Sequence, residues 1–359
     1  MRKLIVNCPL NTLSLGQVSL NILRELHKQN VQVALYPVAD VNINAYNRLS
    51  EDFKVWLQNS VNNRLKIVDK NMPTLKIWHI NGSESRVGRK QYLYSFYECD
   101  SPTQEEVNIC SMQDGVIFSS EYSANSFRGF NIPATNVPLG FDPDIVTMKS
   151  PFPKDVIHWI LVGKWEKRKN TSLIINTWAR KYGNNTKHQL SLCVSNPFLN
   201  EQMHQQFFQQ AFGGAKPFNV NILPHLDVNE KMTQLYNSAD IDLSGFSKSE
   251  GWGLPSFNTT ALGKWSIVTN CAGHKDWATK ENSILIEPLG KEPCYDGIFF
   301  QPNQPFNQGN FFTFSPEQLV EAMETAEKKA KTVNTEGLKL QTTFTYEKTV
   351  KALLAKMDT

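Results

Sequence analysis

Two stretches of this chain gather side chains and backbone groups suited to handling an anion. The first, Ser249-Glu250-Gly251-Trp252-Gly253-Leu254-Pro255, follows an apolar run at 241–244 and leads into a helical run toward Gly263. Two glycines and a proline ahead of a helix leave backbone N–H groups free at its N-terminus, where a phosphate is held well. Glu250 would repel that phosphate unless its carboxylate is aimed at something else, such as sugar hydroxyls. The second stretch, Gly163-Lys164-Trp165-Glu166-Lys167-Arg168-Lys169-Asn170, sets four cations behind another apolar run at 156–162. Taken singly, these are a glycine turn and a solvated basic turn. Taken together, cations and a helix N-terminus can hold an anion and stabilise negative charge that develops on it.

Those residues need a scaffold, and the hydrophobic pattern supplies one. Residues 3–7 read as a strand, 16–26 as a helix and 31–35 as a strand, a βαβ opening. Apolar runs at 75–80, 92–97 and 115–119 alternate with helical stretches at 103–110 and 121–127, the pattern of an open α/β sheet. Residues 142–156 contain three prolines and read as a linker. The alternation then restarts, with strands at 156–162, 189–194, 219–223, 241–244, 266–269 and 283–286 and helices at 171–180, 200–212 and 229–237. The expected fold class is α/β, two Rossmann-like domains facing each other across a cleft. The expected division is one Rossmann-like domain over 1–145, a second over 156–335 and a C-terminal helix within 336–359 that packs back on the first domain.

Composition narrows the classes further. The chain has 359 residues, 40% of them hydrophobic, 20% charged and 11% aromatic, which excludes a disordered or low-complexity protein and allows two domains. The net charge is +3, split evenly enough between the halves that neither is a basic domain. Six scattered cysteines with no CxxC pair are expected to be free thiols in a reducing compartment. No apolar run reaches the roughly 18 residues of a membrane span, and no leader is evident, so a cytoplasmic location is expected. The seven histidines show no metal-ligand spacing, and GxxxxGK[ST] and GxGxxG are absent. Asp240-Ile241-Asp242 has the spacing of a metal-binding Asp-x-Asp but opens a buried strand and reads as structural.

The Glu250 segment resembles the Glu-Gly-x-Gly-Leu-Pro signature of retaining GT-B glycosyltransferases of the GT4 type, and the Lys164 segment is similar to that family's Gly-Arg/Lys…Arg-Lys-Gly/Asn segment. The resemblance implies a nucleotide diphosphate sugar as donor, no metal or other cofactor, and the roles of acceptor domain for 1–145 and donor domain for 156–335. It places Glu250 on the donor sugar, the amides of Gly253 and Leu254 on the diphosphate, and Lys164 and Lys169 as its cationic clamp. The family's second Glu binds the ribose; here that position is Asn258, an amide that lacks a carboxylate's paired acceptors. Gly16 resembles the family's glycine loop, which approaches the donor phosphate from the opposite side. Glu98, in Tyr94-Ser95-Phe96-Tyr97-Glu98, sits where the family places a His or Glu facing the reaction centre. The Gly273-His274-Lys275-Asp276-Trp277 and Phe306-Asn307-Gln308-Gly309-Asn310 phrases look similar to a viral and phage-type subgroup. The acceptor that the family implies is a saccharide or glycan. A modified DNA base is the alternative, motivated by that subgroup and by the basic stretch Arg86 to Lys90. A non-catalytic nucleotide-sugar-binding protein is a third reading, motivated by Asn258.

Overall fold

The computed structural model describes residues 2–66, 69 and 71–358. The first half consists of β1 (Lys3–Cys8), α1 (Ser14–Lys28), β2 (Gln32–Pro37), α2 (Glu51–Lys66), β3 (Thr74–Ile77), β4 (Gln91–Ser95), α3 (Gln104–Ser111), β5 (Gly115–Phe118), α4 (Glu121–Arg128) and β6 (Thr135–Asn136). The second continues with β7 (Ile157–Val162), α5 (Thr171–Tyr182), β8 (His188–Cys193), α6 (Glu201–Phe212), β9 (Val220–Ile222), α7 (Asn229–Ser238), β10 (Ile241–Gly245), α8 (Leu254–Ala261), β11 (Trp265–Thr269) and β12 (Ile284–Ile286). An antiparallel hairpin, β13 (Gly290–Pro293) and β14 (Asn310–Thr313), precedes α9 (Pro316–Lys329), α10 (Thr335–Leu338), α11 (Leu340–Thr343) and α12 (Tyr346–Met357).

Both large sheets are parallel and six-stranded, the first in the order β2-β1-β3-β4-β5-β6 and the second β12-β11-β10-β7-β8-β9. The strands are short unbroken apolar runs because helices cover both faces of each sheet. Leu4, Val6, Trp159, Ile160, Leu243 and Ile267 are all buried. Helix starts are written locally: Thr103 and Glu106 form a capping box on α3, as Ser315 and Gln318 do on α9. The fold is thus of the expected α/β class, two parallel sheets each flanked by helices.

Two features position the site. In each sheet the strand order reverses once, between β1 and β3 and between β7 and β10, and ligands of open α/β sheets bind beyond the carboxyl ends of strands at such a switch point. The carboxyl edges of the two sheets are also apposed. Ser249, beyond β10, donates its hydroxyl to the Glu98 carbonyl beyond β4, and Ser119, beyond β5, donates to the Gly251 carbonyl at 2.9 Å.

The connections tie the halves together. Asp142-Pro143-Asp144 is more than a spacer, because Arg24 of α1 grips Asp144 with two 2.9 Å hydrogen bonds. The last helix, α12, lies against α1, with Thr349 donating to the Pro138 carbonyl at 2.8 Å and Arg2 paired to Asp358 at 2.9 Å. Among the described residues, no helix is long and apolar enough to cross a membrane.

Candidate active site

Beyond β7 the chain turns through Gly163, runs through a 3-10 turn at Lys167–Lys169 and enters α5. Beyond β10 it runs through 246–253 into α8. These two segments, flanking the switch point of the second sheet, are laced together. Lys248 N–H donates to the Arg168 carbonyl at 2.8 Å, Asn170 donates to the Phe246 carbonyl at 3.3 Å, and Arg168 donates to the Ser249 carbonyl.

Five charged side chains then fill the space between the strand ends. Lys169 Nζ lies 2.6 Å from Glu250 Oε1, and Arg168 reaches Glu250 Oε2 at 3.2 Å and Glu166 Oε2 at 3.0 Å. Lys164 completes the row, 3.1 Å from Glu166 Oε1. Burial alone would push the Glu250 carboxyl up, but Arg168 and Lys169 outweigh it and bring it down to about 2. Glu166 is likewise held below its ordinary value by Arg168, Lys169 and Lys164 against burial. Within this row three cations therefore alternate with two ionised carboxylates.

The N-terminus of α8 adjoins this row. Gly253 adopts φ +81°, and a Cβ there would come within 2.4 Å of His274 Nε2, so only glycine fits both the backbone and the space. Pro255 in the first turn sacrifices no hydrogen bond, and the amides at the start of α8 remain available to an anion. A 3-10 turn at Ala272–Asp276 backs the loop, with Gly273 N–H donating to the Glu250 carbonyl at 2.9 Å. His274 is fully buried, and its Nδ1 lies 3.2 Å from both the Thr269 carbonyl and hydroxyl. Burial holds this imidazole neutral by lowering it to about 4, and its Nε2 is left without a partner. Trp277 donates to the Trp252 carbonyl at 2.8 Å, and Trp252, Phe257, Trp277 and Phe344 pack edge-on around the loop.

The structure brings together Lys164, Lys169, Glu250, Gly253 and Leu254 from segments about 80 residues apart in the chain. Glu98 joins them from the first sheet: half-buried beyond β4, it is close enough to help hold the Arg168 guanidinium protonated. Asn258 is buried one turn inside α8, and its Oδ1 has no partner. Gly16 stands at the switch point of the first sheet, but its contact is local: a Cβ would lie 2.2 Å from the Asn11 carbonyl, so glycine lets the β1–α1 loop close onto the helix. The Gly273 turn supports the Glu250 loop from behind.

Three charged or titratable groups at this site were not singled out from sequence. Arg168 and Glu166 lie in the same basic run as Lys164 and Lys169, and only the 3-10 turn decides that Arg168 points inward. His79, beyond β3, is lowered from its ordinary value by desolvation, with Glu98 raising it and Lys164 lowering it further. Its position after an apolar strand was the available signal. Asp240 and Asp242 serve the fold: Asp242 is buried, bonded to Ser244 N–H at 2.9 Å and pushed up to about 6 by burial, while Asp240 accepts from His158 N–H and Lys331.

No protein-family model matches this chain. No curated protein matches it in sequence. Solved structures do match in fold. The chain is similar to a sucrose-phosphate synthase from Thermosynechococcus elongatus (TM-score 0.70, 11% identity, covering 100% of this chain and 98% of that one). It is similar to Anabaena HepE in complex with UDP and glucose (TM-score 0.68, 12% identity, 100% of both chains). It also matches an E. coli trehalose-6-phosphate protein bound with UDP-2-fluoro glucose (TM-score 0.67, 10% identity, 99% and 98% covered).

Proposed function

We propose that this protein is a retaining glycosyltransferase that moves a sugar from a nucleotide diphosphate sugar to a hydroxyl of a saccharide or glycan without a metal ion. The observation that carries the reading is the row of Lys164, Arg168 and Lys169 interleaved with Glu166 and Glu250, set beside the N-terminus of α8 at a switch point. A diphosphate seated there gains from both the cations and the amides of Gly253 and Leu254, and gains most as its leaving oxygen takes up charge. The fold neighbour HepE is in complex with UDP and glucose, which makes UDP-glucose the first donor to try.

In this reading Glu250 accepts from the donor sugar's hydroxyls, and the bare Oδ1 of Asn258 accepts one ribose hydroxyl. The bond from the anomeric carbon to the diphosphate breaks while the acceptor oxygen bonds the same face. The acceptor proton passes to the departing phosphate oxygen. Glu98 faces the acceptor from the first sheet, and the apposed edges keep water out.

The basic stretch Arg86 to Lys90 is partly committed to the fold. Arg86 pairs with Asp114 and donates to the Met112 carbonyl, and Arg89 donates to Asn71, so no observation raises a DNA acceptor above a saccharide. Release of free nucleotide from a donor in the presence of EDTA, with an α-donor giving an α-linked product by NMR, tests the reading. An inverted product removes retention, and dependence on added divalent ion removes the metal-free step.

A further inference from the structure

The hairpin β13–β14 and its connection, residues 290–313, leave the second sheet and seat in the first half of the molecule. Phe300 and Phe311 are buried in the same apolar cluster as Tyr97, Val107 and Phe118. Polar bonds fasten the seat at several points. Lys291 pairs with Asp100 at 2.7 Å, Asn310 N–H donates to Asp100 at 2.8 Å, Asn307 N–H donates to Glu106 at 2.8 Å, and Thr103 donates to the Pro305 carbonyl at 2.6 Å. At the centre of this seat two free thiols meet. Cys99, next to Glu98, and Cys294, just past β13, lie with their sulfurs 3.4 Å apart, and both are buried.

We infer that residues 290–313 are a strap holding the cleft closed, and that Cys99 and Cys294 are its redox latch. A disulfide needs the sulfurs to close to roughly 2.05 Å, a small motion for side chains already in contact. The bond would join the two halves directly beside Glu98. With oxidised glutathione as the oxidant, one cysteine thiolate displaces a glutathione thiolate to form a mixed disulfide. The second cysteine thiolate then displaces the other glutathione. Two cysteine thiols are oxidised, losing two protons, and one glutathione disulfide is reduced to two thiols. Both sulfurs are covered while the strap is seated, so the first attack occurs with the strap lifted and the second as it returns.

The test needs neither a donor nor transfer, so its outcome is independent of the proposed activity. The full-length protein is incubated with oxidised glutathione, its thiols are titrated after denaturation, and a peptide map locates any bridge. Hydrogen exchange is read at the strap. The expected result is loss of two thiols, one peptide pair joining Cys99 and Cys294, and at least tenfold slower exchange across 294–310, all reversed by dithiothreitol. Cys294→Ser, checked for native circular dichroism, is expected to prevent both the bridge and the slowing, whereas Cys110→Ser retains both. Glutathione adducts without that bridge, a bridge between other cysteines, or a Cys99–Cys294 bridge with unchanged exchange would overturn the latch.

Discussion

Lys169 Nζ lies 2.6 Å from Glu250 Oε1 although 81 residues separate them in the chain. The contact exists because each residue sits just beyond one of the two strands that flank the reversal of strand order, β7 and β10. It also explains how a buried glutamate remains ionised. The carboxylate stays charged because cations surround it, and those cations are the ones the proposed reaction requires.

Removing either partner should therefore act on chemistry more than on shape. Glu250→Gln keeps the volume and loses the charge, and is expected to reduce transfer by 100-fold or more with native circular dichroism. Lys169→Met is expected to raise the KM for the donor as well, because it also removes the proposed diphosphate contact. A Glu250→Gln enzyme with unchanged transfer would take Glu250 out of the site.

Arg168 should behave differently. It is the buried cation shared by Glu166 and Glu250, so Arg168→Met leaves Glu250 with Lys169 alone and Glu166 with Lys164 alone, and is expected to cost about 3 kcal/mol in urea unfolding. A loss under about 1 kcal/mol would mean that water or Lys169 compensates fully.

Gly253 has no tolerated substitute. Gly253→Ala places a methyl group against His274 Nε2 and forces φ +81° on a residue with a Cβ, so donor affinity should fall at least tenfold. Adding His274→Ala relieves the clash and leaves the backbone strain. The double variant is expected to recover part of the stability; full recovery would show that the left-handed backbone carries no cost.

Acid should weaken the fold in a defined window. His158 and His274 are fully buried, and burial lowers each to about 4 from an ordinary value near 6.5. Between pH 6.5 and 4 the unfolded chain binds these protons and the folded chain does not. Stability is thus complete above 6.5 and falls toward 4, by on the order of 3 kcal/mol per histidine. Glu250, depressed to about 2, adds a further loss below about pH 4.5. Urea midpoints measured from pH 8 to 4 should show this slope, and His158→Gln should flatten part of it. A midpoint constant across that range would contradict the neutral buried state.

Much of this was legible in the sequence. Unbroken apolar runs marked the parallel strands, and Gly253-Leu254-Pro255 marked the start of α8. The pairing of Glu250 with Lys169 was not, since it depends on which strands become neighbours, and strand order is not written in local periodicity. The 290–313 hairpin was missed for a related reason. Its strands are short, with exposed or half-buried positions except Phe311, so they lack the apolar signature of the large sheets, and the residues they dock against, such as Asp100 for Asn310, lie 210 positions away in the chain. Cys99 and Cys294 looked scattered because only that long-range packing joins them.

The most direct test of the central claim measures thermal shift and free nucleotide release with UDP-, GDP-, ADP- and dTDP-sugars in EDTA, for the wild type and Lys169→Met side by side. The account predicts that one donor stabilises the wild type and is slowly hydrolysed, and that both effects are lost in Lys169→Met. No stabilisation by any donor, or equal stabilisation of both proteins, would contradict it.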